Sequence, residues 1–324
     1  DPSSGFVIAV RWPQYMLLFA ATMSPPPKDL PRAALVPQGR TRRLLHLGRA
    51  VGEMAAGAAA EGVARLARGE AAELSQLMLT PANARRLAER LSQMRGAVMK
   101  VGQLMSMDGH GLLPPQFAEL LGGLRDRAHV MPATQLIEVL EREYGSGWHA
   151  RFRRFSFEPV AAASIGQVHR AETPDGRVLA LKIQYPGVRQ SIDSDVANLG
   201  LLARLPTPGP ARPDPTPMLE RIRMQLHRET DYAAEAASLT AYREALGDDP
   251  VLTVPQVQAD YCTATILATD FATGIAIDRL ADPAQPRAHR DHVAAALTRL
   301  SVREFFEMRL VQTDPNFGNY LFDA

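Results

Sequence analysis

The sequence predicts an α+β fold in which an all-helical block precedes a strand-rich part and a further helix. Residues 42–150 carry apolar residues at helical spacing, and residues 157–184 contain short extended runs around an Asp-Gly turn. A long helix is predicted over 287–309. At 324 residues, with 46% hydrophobic and 22% charged residues, the chain is long enough for two domains and has the composition of a globular protein.

Charge, cysteine and histidine content exclude several kinds of protein. The net charge of +1 gives no overall field that would attract nucleic acid. The single cysteine, Cys262, excludes an intrachain disulfide and a cysteine-rich metal site. His169 and His227 lack a second ligand at metal spacing and are interpreted as structural. With a single cysteine, a cytoplasmic location is the default expectation. No apolar run reaches roughly 18 residues, so no transmembrane helix is predicted.

Residues 1–40 are predicted to be a disordered leader, because they contain many prolines and no sustained apolar period. Within them, the short apolar stretch Tyr15–Met23 is interpreted as a leader or as sequence upstream of a start at Met23. A weak secretion signal is the alternative. The segment 42–68 is rich in Ala, Leu and Arg, which favours a helix. That helix either packs on its own domain or lies on a membrane or a partner helix.

The helical block continues with a long predicted helix. Thr80 has the character of a cap and Pro81 of a first-turn proline, and the helix is predicted to end near Met107. Further helices are predicted over 116–123 and 132–144. One face of the long helix is apolar and consists of Leu87, Leu91, Met94, Val98, Val101 and Met105.

The strand-rich part begins near residue 157. Two short extended runs, a turn at Thr173–Gly176 and the apolar strand Val178–Ile183 predict a hairpin. The remaining elements are predicted in the order helix, proline-rich loop, helix, two strands and helix, over 187–205, 206–217, 218–246, 252–258, 263–271 and 287–309.

Lysine is rare in this chain and marks two candidate sites. Only Lys28, Lys100 and Lys182 occur among 36 basic residues, and Lys28 lies in the leader. Lysine is a compact ammonium that arginine does not replace freely at a tight site. Lys182, near the end of an apolar strand, has the position of the phosphate-pairing lysine of a protein-kinase fold. Codon bias and chance are the alternative explanation.

A small-residue loop precedes Lys182 and is the next candidate. Ala161, Ala162, Ala163 and Ser164 lie between two extended runs, where a protein kinase has a Gly-rich loop over the ATP phosphates. Alanine keeps the backbone N–H donors but stiffens the loop. A plain small-residue turn in a hairpin is the alternative.

A buried lysine requires a carboxylate, because an unpaired ammonium is costly to desolvate. Asp231 and Glu235 are four apart on the predicted helix 218–246 and would share a face. Glu235 is followed by small residues, which suits a helix packed on a sheet, so we assign Glu235 as the partner of Lys182. A solvated acidic face is the alternative.

A second lysine motif lies in the helical block. Lys100 and Gln103 are three apart and project from one face of the predicted helix. Gly102 between them costs a helix interior roughly 1 kcal/mol relative to alanine, so a close approach is plausible there. Lys100 also requires an anion, which Glu229 and Asp231 can supply.

The segment after the last predicted helix carries the strongest motif. Asp314 and Asn319 have the spacing of the kinase catalytic loop, in which an Asp is followed five residues later by an Asn that holds Mg²⁺. A type I turn is the alternative, because Asp-Pro and Gly-Asn are turn formers.

Together these motifs resemble the UbiB family of atypical kinases, which is linked to ubiquinone biosynthesis. The resemblance covers roughly residues 45–324. It is carried by five motifs in order: MKVGQ (99–103), AAASIGQVHRA (161–171), ALKIQYPGV (180–188), RETDYAAEA (228–236) and QTDPNFGNYL (312–321).

The resemblance implies a protein-kinase-like fold with a helical N-terminal extension over 41–156, which folds over the place of a protein substrate. An N-terminal lobe over 157–273 and the start of a C-terminal lobe over 274–324 would follow. Lys100 and Gln103 would form the motif of the extension, with Lys100 meeting Glu229 and Asp231. In the hinge, Asp270 and Ala272 would bind adenine through the backbone.

Two departures from the family pattern bear on activity. The Mg²⁺-binding Asp-Phe-Gly of kinases would follow Asn319, but the sequence ends at Ala324. We therefore expect a truncated C-terminal lobe and an inactive chain. Ordinary protein kinases also carry a lysine two residues after the catalytic Asp, where this sequence has Asn316.

The expected function is ATP hydrolysis or phosphoryl transfer that supports ubiquinone biosynthesis, with ATP or ADP and Mg²⁺ as cofactors. Lys182 would hold the phosphates, Asp314 would position the nucleophile and Asn319 would bind Mg²⁺. A pseudokinase-like module that binds an isoprenoid lipid or biosynthetic proteins is the alternative. An ordinary protein kinase is disfavoured by the alanine loop and Asn316. The partners left open are a quinone lipid, a membrane surface and quinone-biosynthesis proteins, with a peripheral place at the inner membrane.

Overall fold

The computed structural model describes residues 7–10, 130–162, 165–203, 214–312 and 319–323. The described residues fall in two compact units. The first contains 7–10, 132–162, 165–184, 229–312 and 319–323. The second contains 130–131, 185–203 and 214–228.

The strands of the described ranges are β1 (Val7–Val10), β2 (Arg154–Phe155), β3 (Ala161–Ala162), β4 (Gly166–Glu172), β5 (Val178–Gln184), β6 (Leu252–Thr253), β7 (Ile266–Asp270), β8 (Ile275–Ala276) and β9 (Tyr320–Asp323). The α-helices are α1 (Ala133–Tyr144), α2 (Val188–Ala203), α3 (Thr216–Glu229), α4 (Tyr232–Leu246) and α5 (Arg287–Arg303). Short 3₁₀ turns lie at Trp148–Arg151, Ala259–Tyr261 and Ile277–Ala281, and a π turn spans Glu304–Met308. This mixture confirms the predicted α+β class.

A five-stranded antiparallel sheet forms the centre of the first unit. Its order is β2-β4-β5-β7, with β3 also paired to β4. Strand β5 is buried along nearly all of its length, as its continuous apolar sequence requires. The predicted hairpin is present between β4 and β5, and Gly176 in its turn has a positive φ of 89° that glycine adopts without strain.

Gly166 at the start of β4 is needed for strand pairing. A Cβ built on Gly166 would lie 2.3 Å from the carbonyl oxygen of Ile183 on β5. That contact is with backbone, which cannot move aside without breaking the ladder. The glycine of the Ala-rich motif therefore has a packing reason that is independent of any ligand.

A second sheet of four strands has the order β6-β1-β9-β8. Strand β1 pairs in parallel with β6 and antiparallel with β9, with Ile8 opposite Phe322. The expectation of disorder over 1–40 is therefore wrong for Val7–Val10. Local composition did not reveal this strand, because its partners lie more than 200 residues away in sequence. The rest of 1–40 lies outside the described residues.

The predicted helices 132–144 and 187–205 are confirmed as α1 and α2. The predicted helix 218–246 is wrong in one respect, because it breaks at Thr230 and Asp231 into α3 and α4. The Asp231 side chain accepts a hydrogen bond of 3.0 Å from the backbone N–H of Ala234, which is the geometry of an N-cap.

The other boundaries also shift. The helix predicted to reach residue 309 ends as an α-helix at Arg303 and continues as the π turn, after which Arg309 has a left-handed φ of 53°. The strand predicted over 252–258 shortens to β6, and the one over 263–271 to β7.

Helices α4 and α5 pack against the second sheet in a buried apolar cluster. Its fully buried members include Tyr242 and Phe322. Burial of such side chains contributes about 1.5–3 kcal/mol each, which holds β9 against the helices. The cluster comprises Leu239, Tyr242, Leu246, Leu252, Val254, Ile277, Leu280, Val293, Ala296, Leu300, Tyr320 and Phe322.

None of the helices in the described ranges combines the length and apolar character that crossing a membrane requires.

The second unit contains α2 and most of α3. Asp193 on α2 lies 3.4 Å from an Arg223 guanidinium nitrogen and 2.9 Å from His227 Nε2 on α3. These hydrogen bonds, that of His227 first, hold the pKa of Asp193 below its ordinary value. This contact agrees with the structural role predicted for His227.

His169 on β4 is buried and neutral. Its Nδ1 lies 2.8 Å from the carbonyl oxygen of Ser156, so Nδ1 carries the proton and donates. Its Nε2 lies 2.7 Å from Gln167 Nε2 and accepts from that amide. The ring stacks on Phe155 with centroids 5.5 Å apart. Burial lowers the pKa of His169 to about 4.

We expect acid to destabilise the first unit through His169. Above about pH 6.5 the His169 imidazole is neutral in both the folded and the unfolded chain. Below that pH the unfolded chain binds a proton, whereas the folded chain binds it only near pH 4. The free energy of unfolding should therefore fall by up to about 3 kcal/mol between pH 6.5 and pH 4. Urea unfolding at several pH values measures this. His169→Gln should flatten this pH dependence of the unfolding free energy, while His149→Gln, at an exposed histidine, should leave it unchanged. The same pH dependence in the wild type and both variants would contradict the role given to His169.

Candidate functional site

Lys182 and Glu235 form a buried, two-contact ion pair in the first unit. The Lys182 Nζ lies 2.7 Å from Glu235 Oε1 and 2.9 Å from Oε2. The two side chains are 11% and 6% exposed. The contact predicted between this lysine and this glutamate is therefore present, and both charges are satisfied away from bulk water. The catalytic roles given to them remain predictions.

Tyr232 supports the lysine from a second direction. The Lys182 Nζ lies 4.8 Å from the centroid of the Tyr232 ring, a distance at which the ring face attracts a cation. Tyr232 is almost fully buried at the start of α4. Sequence reasoning missed this residue, although it precedes Glu235 by three positions and therefore lies on the same helix face.

The break between α3 and α4 brings Glu235 to the sheet. Asp231 caps α4, and the backbone N–H of Glu235 donates to the carbonyl oxygen of Asp231 at 3.0 Å. Gln184 at the end of β5 donates from Nε2 to the carbonyl oxygen of Thr230 at 2.9 Å. The strand that carries Lys182 is thus tied directly to the turn that begins the helix of Glu235.

The capping role corrects one sequence expectation. Asp231 precedes the first turn of α4, so it does not share a helix face with Glu235 as the unbroken helix predicted. Glu229, at the end of α3, is buried with 1% exposure. Lys100 and Gln103 lie outside the described residues, so the contact of Lys100 with these two carboxylates remains a prediction.

An apolar surface adjoins Lys182 on the same face of the sheet. Val168 on β4 is directly opposite Lys182 on β5, and Ala180 precedes the lysine by two positions. Residues opposite one another and residues two apart project to one side of a sheet. The cluster consists of Ala161, Val168 and Ala180, with Val160 and Phe271 packed against it.

Part of the predicted alanine loop contributes to this surface. Ala161 and Ala162 form β3 and pair with Val168 and Gln167. Ala161 is buried, so it faces the apolar cluster rather than an open loop. Ala163 and Ser164 lie outside the described residues.

The predicted hinge lies at the end of β7. The backbone N–H of Asp270 donates to the carbonyl oxygen of Gln256 at 2.9 Å, and its carboxylate accepts from Gln258 Nε2 at 2.7 Å. The Asp270 side chain therefore braces the neighbouring segment. Ala272 packs against Ala276 and Leu321. A role of this backbone in adenine binding remains a prediction.

Asn319 is the described part of the predicted metal site. It is buried, with 2% exposure, and directly precedes β9. Asp314 lies outside the described residues. In the part of the chain that the structure describes, no group of three His, Cys, Asp or Glu side chains could hold a metal ion. A metal proposal for this region therefore rests on Asn319 and the sequence motif.

Comparisons with known proteins agree with this geometry. A family model of the ABC1 atypical kinase-like domain matches residues 123–324. The mitochondrial atypical kinase COQ8 of Saccharomyces cerevisiae is 35% identical over 297 residues, which is 92% of this chain and 59% of that protein. The mitochondrial atypical kinase COQ8B of Rattus norvegicus is 38% identical over 298 residues, which is 91% and 56%.

Among solved structures, the Rv3197–erythromycin complex from Mycobacterium tuberculosis matches with a TM-score of 0.50 and 30% identity. The match covers 74% of this chain and 61% of that chain. The chain spans less than two thirds of the length of each of these three proteins.

The antiparallel sheet, the strand lysine and the helix glutamate define a kinase-like protein. The fold class predicted from the sequence is therefore confirmed. The chain belongs to the ABC1 atypical kinase-like family, which confirms the resemblance to the UbiB group.

A double-mutant cycle tests the buried pair. Lys182→Met and Glu235→Gln each leave one buried charge without its partner and should each destabilise the fold by about 3 kcal/mol. The double variant should cost less than the sum, with a coupling energy of about 2 kcal/mol in urea unfolding.

The matched control is the exposed i,i+4 pair of Arg287 and Asp291, at 3.3 Å. The cycle of Arg287→Met and Asp291→Asn should show a coupling below about 0.5 kcal/mol. Strictly additive effects at Lys182 and Glu235 would mean that the two side chains do not depend on each other.

Proposed function

We propose that this chain is the nucleotide-binding, kinase-like part of a protein that hydrolyses ATP or transfers its phosphoryl group in support of ubiquinone biosynthesis. The observation that carries the proposal is the buried pair of Lys182 and Glu235. In kinases such a pair holds the lysine ready for the phosphates of ATP. Membership of the UbiB group supports the link to ubiquinone.

The residues around Lys182 fit a nucleotide. An ammonium has three donors, and Glu235 accepts from two of them, which leaves one direction for a phosphate oxygen. The cluster around Val168 and Ala180 has the apolar character that an adenine ring requires of its site. The orientation of Lys182 by Glu235 lowers the entropy lost when the phosphates bind.

Magnesium fits the donor set that the sequence places at the end of the site. Mg²⁺ prefers oxygen ligands, and the Asn319 amide oxygen supplies one of that kind. When bound, the ion would neutralise charge on the β- and γ-phosphates. Asp314 would position the attacking hydroxyl or water, because it has the place of the catalytic Asp in the motif.

The Lys100 motif would favour hydrolysis over phosphorylation of a protein. The motif of Lys100 and Gln103 would close the substrate side, with Lys100 in contact with Glu229 and Asp231, as the family resemblance implies. Burial of Glu229 supports a structural rather than a solvated role for that carboxylate.

Location and partners belong to the same proposal. The COQ8 relatives are mitochondrial, and a peripheral place at a quinone-containing membrane is the corresponding location here.

Nucleotide binding by the 324-residue chain tests the proposal. Lys182→Ala should raise the Kd for Mg-ATP at least tenfold, which corresponds to about 1.4 kcal/mol, because a contact with the phosphates is lost. Isothermal titration calorimetry measures the Kd, and circular dichroism at the same temperature verifies that the variant is folded.

The matched control removes a positive charge elsewhere. Arg142 on α1 is exposed and pairs with its neighbour Glu143 in a 3.1 Å contact, so Arg142→Ala should leave the Kd unchanged. Equal affinity of the wild type and Lys182→Ala for Mg-ATP would overturn the assignment of this lysine.

A further inference from the structure

A buried carboxylate lies at the base of the segment that carries Asn319. Glu304, in the π turn after α5, is 6% exposed. Its Oε1 accepts from the Tyr242 hydroxyl at 2.6 Å and from the backbone N–H of Gln312 at 3.2 Å. The side-chain oxygen of Gln312 in turn accepts a hydrogen bond from the Tyr320 hydroxyl.

This chain of hydrogen bonds joins the two ends of the motif. Gln312 lies two positions before Asp314 in sequence, and Tyr320 directly follows Asn319. Both ends are therefore held to one carboxylate, Gln312 directly and Tyr320 through Gln312. Hydrogen bonds to a buried carboxylate are stronger than those between neutral groups, and they fix geometry accordingly.

The same network reaches the helix of the ion pair. Tyr242 and Glu235 are both on α4 and are seven residues apart, which is close to two full turns, so they project from nearly the same face. One end of α4 holds Lys182, and the other holds Glu304. Burial, followed by the hydrogen bond to Glu304, raises the pKa of Tyr242, so its hydroxyl stays protonated and donates.

Glu304 is the first residue of the π turn that follows α5. The turn is capped by Arg309, which has a left-handed φ of 53°, and the backbone N–H of Leu310 donates to the carbonyl oxygen of Glu304 at 3.1 Å. Exposed Phe305 and Phe306 in the same turn show that burial here is selective. A charged residue points inward while two aromatic residues point out, which is the reverse of the ordinary preference.

We propose that Glu304 is a positioning residue that sets Asn319 for metal binding, by fixing Gln312 and Tyr320 to α4 through Tyr242. The inference rests on the proposed function, because Asn319 matters as a ligand only if Mg²⁺ accompanies the nucleotide. Glu304 itself touches neither nucleotide nor metal in this proposal. Its effect is on the geometry of the segment and thereby on the contribution of the metal.

Two measurements on the 324-residue chain test this proposal. Hydrogen–deuterium exchange of peptides that cover 309–323 reports how firmly the segment is held. The ratio of the ADP Kd without and with Mg²⁺ reports the contribution of the metal. In Glu304→Ala the exchange should be at least tenfold faster and the Kd ratio should fall to about one. The metal-free Kd should stay within twofold, because Lys182 is untouched.

Variants of graded severity separate positioning from folding. Glu304→Gln keeps an oxygen that accepts from both donors and should restore most of the exchange protection and the Kd ratio. Tyr242→Phe removes one hydroxyl and should accelerate exchange by a few-fold, which tests the network even if Glu304→Ala does not fold. Glu307→Ala is the matched control, since it changes an exposed glutamate of the same π turn and should alter neither readout.

The outcomes distinguish this inference from the proposed function. Wild-type exchange in Glu304→Ala and Tyr242→Phe would overturn the positioning role, whatever the nucleotide data show. Fast exchange with an unchanged Mg²⁺ dependence would also overturn it, since Glu304 would then serve the fold alone. A wild-type chain that binds no nucleotide would contradict the proposed function, and the exchange data alone would then decide whether Glu304 holds the segment.

Discussion

The site depends on one buried ion pair, Lys182 with Glu235. Moving either charge out of water costs several kcal/mol, and the attraction between them offsets that cost only when the geometry is good and the remaining donors are satisfied. Both conditions are met here by two short contacts and the Tyr232 ring beneath the ammonium. The pair joins strand β5 to helix α4. The contact that packs these two elements together therefore also orients the Lys182 ammonium.

Helix α4 connects the ion pair to Glu304, and two contacts fix its beginning. The break at Thr230 lets Asp231 cap the helix, and Gln184 fixes that turn to the end of β5. From there the helix carries Glu235 at its first turn and Tyr242 two turns later. The same helix therefore contacts both Lys182 and, through Glu304, the residues that flank Asn319.

Much of this was predictable where the signals are local. The Asp-Gly turn specified the hairpin, and the scarcity of lysine drew attention to Lys182. The helix break was missed because Arg-Glu-Thr-Asp keeps helical spacing, and only the cap geometry shows that Asp231 ends one helix and begins another. Glu304 was missed because one acidic residue beside two phenylalanines predicts the opposite burial, and only the tertiary contacts with Gln312 and Tyr242 explain it.

A crystal structure of the chain with ADP and Mg²⁺ would show whether the ion pair binds nucleotide. We expect Lys182 Nζ to contact a phosphate oxygen while it keeps its contact with Glu235, and the adenine to lie against Val168 and Ala180. Nucleotide bound on another surface, or a Lys182 that leaves Glu235 and contacts no phosphate, would contradict it.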